Sequence, residues 1–141
     1  MTDPVYLSKP GVVCAAGSSV DALWRSCVAG DRSGIKKVRS LSGKEFFAGR
    51  ADDKVLHKTA ARFDTRCIRL EDAALVQIER EILGALSAYG PSRVAVCVGS
   101  CDNGTELSLP AHAAFIADGA FPAGYTLEVQ GADYAATYVS E

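Results

Sequence analysis

The chain has no excess of basic residues, and it has few aromatic side chains. Fifteen basic residues stand against seventeen acidic ones, and phenylalanine, tryptophan and tyrosine together make up 8% of the 141 residues. Proteins that bind nucleic acids concentrate basic charge, and those that bind single strands stack the bases on aromatic rings. The sequence therefore predicts no nucleic-acid partner.

Long apolar runs and a secretory start are also missing. No apolar stretch approaches the roughly 20 residues that a membrane-spanning helix needs, and residues 1–4 lack the basic start of a signal peptide. The cysteines are odd in number and scattered, which is typical of reduced thiols and not of a disulfide framework. We therefore expect a cytoplasmic protein with no membrane partner. The cysteines are Cys14, Cys27, Cys67, Cys97 and Cys101.

The most informative segment is residues 93–104. Five consecutive apolar residues, Val94 to Val98, end abruptly at Gly99. A strand that is apolar on both faces is usually covered by helices on both sides, which predicts a parallel sheet in an α/β domain. Ligands of such domains bind beyond the carboxyl ends of the strands. The loop from Gly99 to Gly104 is therefore the first candidate site.

Helical patterns occupy much of the remaining chain. We predict one helix capped by Ser18 and ended by Gly30, and a second that begins at Asp64 or Thr65 and ends near Tyr89. Residues 105–117 and 134–140 are also predicted to be helical. Residues 31–66 read as a long irregular connection, which in a single domain is usually functional or mobile.

The candidate loop holds reactive side chains but lacks a general base. A nucleophilic Cys101 would need a nearby cation and usually a histidine, whereas its neighbour Asp102 would raise the pKa of its thiol. Ser100 lacks the G-x-S-x-G spacing of a nucleophile elbow, and the glycine patterns that bind phosphates and dinucleotides are absent. A thiol hydrolase that uses Cys101 is therefore the least favoured interpretation.

Metal binding is not predicted, because His57 and His112 lie far from each other and from the Cys97-x-x-x-Cys101 pair. A locally basic cluster has two interpretations. It could dock an acidic partner such as a carrier protein, because facing charges steer association, or it could be a solvated loop. The cluster consists of Lys36, Lys37, Arg39, Lys44 and Arg50.

Several segments, taken in order, resemble the opening part of a β-ketoacyl-acyl-carrier-protein synthase, a condensing enzyme with the thiolase fold. Within that family the pattern is most similar to the aryl-polyene and FabB-like branch. The matching segments are Val5-Tyr6-Leu7 through Gly11-Val12-Val13 to Gly17, Leu23-Trp24 with residues 29–35, Phe63-Asp64-Thr65-Arg66 with the helix up to Val94, Val98-Gly99-Ser100 with Asn103-Gly104, and residues 119–125 on to Tyr138-Val139.

The resemblance implies a layered α/β half of the thiolase fold, with a mixed, mostly parallel sheet covered by helices. It implies condensation of an acyl thioester with malonyl-carrier protein in fatty-acid or polyketide-type biosynthesis, without a cofactor. The implied partners are acyl carrier protein and the remainder of the synthase or a second synthase subunit. One wall of the acyl pocket would be formed by Ser100, Cys101, Asp102 and Asn103.

The chain also departs from the family. Ser8-Lys9-Pro10 replaces an early threonine-glycine pair, and the polar Asp102 lies where the family places a residue that lines the acyl pocket. The family's nucleophilic cysteine and two active-site histidines lie beyond the position that matches Glu141. We therefore expect residues 1–141 to be the N-terminal part of a synthase domain and to be catalytically inert alone. The alternative is a small, stand-alone α/β module that binds a ligand with the Gly99–Gly104 loop.

Overall fold

The computed structural model describes residues 4–40, 42–101 and 104–141. Five α-helices and one hairpin form the regular structure of these residues, joined by short 3₁₀ turns. In chain order the elements are α1 (Val20–Ala29), β1 (Ile35–Arg39), β2 (Glu45–Gly49), α2 (Arg66–Leu75), α3 (Glu79–Tyr89), α4 (Thr105–Asp118) and α5 (Tyr134–Ser140).

Capping residues define where the first two long helices begin. The cap of α1 is Ser19 and not the predicted Ser18, since the Ser19 hydroxyl accepts the N–H of Ala22 at 3.1 Å. Gly30 ends α1 in the left-handed conformation, with φ of 62°, as predicted. Thr65 caps α2, and its hydroxyl accepts the N–H of Ile68 at 3.3 Å.

The prediction of a single helix between residues 64 and 89 is wrong, because a 3₁₀ turn at Val76–Ile78 separates α2 from α3. The side chain of Gln77, in that turn, binds the backbone of Val12. Its Nε2 donates to the Val12 carbonyl at 3.0 Å, and its Oε1 accepts the Val12 N–H at 3.2 Å. A helical side chain therefore makes the two bonds that a neighbouring strand would make with Val12.

The predicted mostly parallel sheet is not seen among the described residues and stays a prediction. The sheet of the described residues is an antiparallel hairpin of β1 and β2, which lies inside the connection predicted to be irregular. Residues 94–98, predicted to be a buried parallel strand, pair with no strand in the described ranges, and Val96 and Val98 are 36% and 38% exposed. An apolar segment becomes a strand only where a neighbour supplies N–H and C=O groups, and the described residues form no such ladder with this one.

An aromatic core joins the middle of the chain to its last helix. Phe63 packs 5.4 Å, between ring centroids, from both Tyr134 and Tyr138. Ile68 from α2 is fully buried beside them. The Tyr134 hydroxyl donates to the Arg62 carbonyl at 2.8 Å, so a polar group that burial would otherwise leave unsatisfied has its partner.

Around this core the chain exposes an unusually large surface. Its accessible area is 10494 Å², whereas a folded monomer of 14.8 kDa is expected to expose about 7,000 Å². Leu7 is 96% exposed, and Trp24 on α1 is 69% exposed. The surplus area is therefore partly apolar.

We expect Ile68→Ala to lower the free energy of unfolding by about 2–5 kcal/mol, because it leaves a cavity in the core. Urea denaturation measures the change. Val76→Ala is the matched control, since Val76 is 63% exposed, and it should cost under about 0.5 kcal/mol. Equal losses for the two variants would contradict the assignment of the core.

Glu71 on α2 gives a second expectation. Its Oε2 atom is buried and has no hydrogen-bond partner in the described ranges, and burial raises the pKa of its carboxyl. Its contribution to stability is therefore fully present below the unfolded pKa of about 4.3 and is lost as the pH rises through the folded value. Glu71→Gln should raise the free energy of unfolding at pH 7 and leave it unchanged near pH 3.5. A gain that is equal at both pH values would refute this cause.

Candidate functional site

The loop that follows residues 94–98 lies against the N-terminal end of α2. The Ser100 Oγ is 3.9 Å from the Sγ of Cys67, the second residue of α2. The Glu106 carboxylate, in the first turn of α4, accepts the N–H of Arg66. These contacts hold the loop and the start of α4 over the first turn of α2.

Gly104 sets the point where α4 begins. It is buried, its φ is 71°, and a Cβ added to it would lie 2.8 Å from the carbonyl oxygen of Val129. Both the backbone conformation and the space therefore require glycine. The hydroxyl of Ser108 donates to the Gly104 carbonyl at 3.0 Å, which secures the same turn from inside the helix.

The structure places the four residues predicted to line an acyl pocket as follows. Ser100 and Cys101 are exposed, and Ser100 is brought next to Cys67. Asp102 and Asn103 lie outside the described residues. The pocket wall remains a prediction for all four. Sequence analysis missed Cys67, although its place just after the capping residue Thr65 is a signal that puts a thiol in the first turn of a helix.

The reactive groups near this loop are two thiols and a hydroxyl. No hydrogen bond joins a histidine to a cysteine within the described ranges. His112 lies on α4 in an aromatic cluster, with its Nδ1 2.7 Å from the Ser108 carbonyl oxygen and its ring centroid 5.3 Å from that of Phe121. The thiol–imidazole pair that a Cys101 hydrolase needs gains no support from this arrangement.

A network of basic and acidic side chains also includes Arg66, the first residue of α2. Asp53 accepts from Arg50 at 2.8 Å and also from Arg66, and these two guanidinium groups lower the pKa of its carboxyl. Arg50 is therefore engaged by a carboxylate, as is Lys37 of the predicted basic cluster, whose Nζ lies 2.5 Å from a carboxylate oxygen of Glu45. A cavity of about 620 Å³ opens beside this network, lined by residues 14–18, 33, 34, 36 and 50–54.

The described residues contain neither a metal-binding cluster nor a membrane-spanning helix. In the part of the chain that the structure describes, no group of three or more histidine, cysteine, aspartate or glutamate residues is placed to hold a metal ion. None of the described helices has the length and apolar character to cross a membrane.

Comparison with known proteins supplies the class of fold. No protein-family model matches the sequence, and no curated protein was found that matches it. Among solved structures, a chain of the complex between a ketosynthase and its chain length factor from Xenorhabdus doucetiae is similar over 96% of this chain, with a TM-score of 0.83 and 23% sequence identity. The present chain spans 35% of that chain. It therefore has the ketosynthase-like thiolase fold that the sequence resemblance implied.

Two glycine substitutions test the geometry of the loop. Gly104→Ala should lower the free energy of unfolding by more than about 1 kcal/mol, because an alanine strains the left-handed backbone and its Cβ meets the Val129 carbonyl oxygen. Gly84→Ala in α3, where nothing lies within 4 Å, should instead raise it by about 0.5–1 kcal/mol. Thermal denaturation compares the two. A tolerated Gly104→Ala would show that α4 begins differently.

Proposed function

We propose that this chain is the N-terminal part of a β-ketoacyl-acyl-carrier-protein synthase. The complete enzyme condenses an acyl thioester with malonyl-carrier protein in the cytoplasm, in fatty-acid or polyketide-type biosynthesis. The observation that carries the proposal is the fold similarity over 96% of the chain to part of a ketosynthase complex. The chain provides scaffold and one wall of the acyl pocket, through residues 100–103.

The exposed surface supports the need for further protein around this chain. The accessible area of 10494 Å² exceeds the value expected for a folded monomer by roughly half. A surplus of that size is comparable with the area buried in large, obligate interfaces. The remainder of a synthase, or a second synthase subunit, would cover it.

The extended segments at residues 4–13 and 94–100 support the same view. Each contains short apolar runs, at residues 5–7, 12–13 and 94–98. Neither is paired with a strand in the described ranges, and an isolated bridge between Cys14 and Gly17 follows the first. In the complete enzyme we propose that both belong to the layered, mostly parallel sheet of the thiolase fold. Their N–H and C=O groups would then be satisfied by strands supplied from outside this chain.

In the condensing reaction a cysteine at a helix N-terminus takes the acyl group from a carrier thioester. Malonyl-carrier protein then loses carbon dioxide, and the resulting carbanion attacks the acyl thioester. We propose that none of the cysteines in this chain is that nucleophile, which is supported by the absence of a cysteine–histidine hydrogen bond in the described ranges. This chain alone is therefore catalytically inert.

Activity and assembly assays test the proposal together. The purified chain, supplied with acyl-carrier and malonyl-carrier protein, should form no β-ketoacyl product above background, as measured by mass spectrometry of the carrier protein. In sedimentation it should self-associate or require a synthase subunit to remain in solution. Sequencing of the gene beyond codon 141 should reveal an in-frame continuation that carries the cysteine and histidine motifs, or a neighbouring gene that encodes them.

Turnover by the chain alone would overturn the proposed inertness. A stable monomer with a cooperative melt would favour the stand-alone module that binds a ligand at the Gly99–Gly104 loop. Fast alkylation of Cys101 at neutral pH, together with a hydrolase activity lost in Cys101→Ser, would favour the thiol hydrolase.

A further inference from the structure

A chain of hydrogen bonds runs from the 3₁₀ turn at Leu127–Gln130 back to the glycine that precedes α4. The Gln130 Nε2 donates to the Tyr125 hydroxyl at 2.6 Å. That hydroxyl donates to the Ser108 hydroxyl at 3.4 Å, which in turn donates to the Gly104 carbonyl at 3.0 Å. Each hydroxyl therefore donates once and accepts once, as its chemistry allows. We call these four residues the Tyr125 relay.

The Gly104 carbonyl, at the end of the relay, is a point where several hydrogen bonds meet. It also accepts the backbone N–H groups of Leu107 and Ser108, both at 3.0 Å. The backbone of Gly104 lies so close to Val129 that an added Cβ would be 2.8 Å from the Val129 carbonyl oxygen. Residues 125–130 therefore hold Gly104 in two ways, by direct contact and through the relay.

The ring of Tyr125 is fixed by packing that does not involve its hydroxyl. Its centroid lies 5.2 Å from that of Phe121 and 6.2 Å from that of His112, and the half-buried side chain packs against the aromatic core. The ring also lines two cavities, of about 290 and 250 Å³, which both include Leu107 and Gly124 in their walls. Phenylalanine would satisfy this packing equally well, so the relay is what the hydroxyl adds.

The relay ends at the boundary of the loop that the proposed function assigns to the acyl pocket. Near the start of that loop, Ser100 contacts Cys67 of α2, and Gly104 closes the other end. Neighbouring Cα atoms are separated by a fixed distance of about 3.8 Å. A displacement of Gly104 would therefore move the end of the loop and the first turn of α4 together.

We propose that Tyr125 is a positioning residue for acyl-chain selection. Through Ser108 its hydroxyl holds Gly104 in one position, and Gly104 sets how far the pocket wall stands from the acyl chain. Tyr125 contacts no reacting atom in this role. The inference rests on the proposed function, which supplies the acyl pocket, and it names the residues that adjust that pocket.

A purely structural role of the Tyr125 hydroxyl predicts a different pattern of effects. Loss of a bond that only stabilises the fold lowers the amount of folded synthase, and the turnover of every acyl substrate then falls by the same factor. A displaced pocket wall changes the preference between substrates, because one methylene group in an apolar pocket is discriminated by about 10–200-fold. The ratio of rates for two chain lengths therefore separates the two roles.

Two variants interrupt the relay at different points in the complete synthase, expressed from its own gene. Tyr125→Phe keeps the ring and removes the hydroxyl, and Ser108→Ala removes the middle of the relay. Each should change the ratio of kcat/KM for hexanoyl- and dodecanoyl-carrier protein by about threefold or more. The KM for malonyl-carrier protein should stay within about twofold of the wild-type value, since only the acyl site is displaced. The double variant should change the ratio no further than either single variant.

Matched controls keep the relay intact. Ser108→Thr retains a hydroxyl at the same position and should preserve the wild-type ratio. Tyr138→Phe also loses one tyrosine hydroxyl bond, the 2.6 Å bond to Asp72, but Tyr138 lies outside the relay. It should lower thermal stability and leave the ratio unchanged. An equal change of the ratio in Tyr138→Phe would refute the inference.

Hydrogen exchange gives a measurement that does not depend on activity. The amides of Leu107 and Ser108 both donate to the Gly104 carbonyl. They should exchange about two- to tenfold faster in Tyr125→Phe and in Ser108→Ala, the factor that corresponds to the loss of one hydrogen bond. Mass spectrometry of the peptide that contains both residues measures the rate. Tyr138→Phe should leave this rate unchanged.

The outcomes separate this inference from the proposed function. Unchanged exchange in both relay variants refutes the relay, and faster exchange with an unchanged substrate ratio refutes its part in acyl selection. The proposed function stands in both cases. A complete wild-type enzyme without condensing activity refutes the proposed function, and the acyl-selection role fails with it.

Discussion

The packing of Phe63 against Tyr134 and Tyr138 joins parts of the chain that are some seventy residues apart in the sequence. This contact fixes α5 relative to the turn that precedes α2. The N-terminal end of α2 then supports the candidate loop, through Cys67 and the backbone of Arg66. Salt bridges from Arg62 to Glu128 and Glu141, at 2.6 and 2.9 Å, surround the aromatic contact. They are exposed and contribute little to stability compared with the buried rings.

Local signals in the sequence predicted the local structure well. α1 and α2 begin where the side chains of Ser19 and Thr65 accept backbone N–H groups three residues further on, and α1 ends at the left-handed Gly30. Such bonds need no distant partner, so periodicity and capping patterns are sufficient to find them. The break at Val76–Ile78 could not be found in this way, because it accompanies a bond between Gln77 and Val12, 65 residues earlier.

The sheet was predicted less well, for a related physical reason. Residues 94–98 have the composition of a buried strand, but composition does not specify which neighbour will pair with them. Conversely, the hairpin at residues 35–49 contains charged residues at most outward positions, and glycines punctuate its surroundings, so the pattern resembled an irregular loop. The candidate site shows the same division. The position of the loop was predicted from the sequence, whereas its contact with Cys67 depends on the tertiary arrangement.

The two hydrogen bonds between the Gln77 side chain and the Val12 backbone determine how residues 11–12 are aligned against α2 and the turn that follows it. A primary amide offers a donor and an acceptor side by side, at the spacing of a peptide group, and among side chains of similar length glutamate and methionine lack that combination. Gly11 contributes as well, because the segment passes so close to the carbonyl oxygen of Ala74 that a Cβ would lie only 2.0 Å from it. A slip by one residue would therefore move a side chain into that space and disengage the amide. Ala74 of α2 and Gln77 of the following turn thus fix one register for Gly11 and Val12.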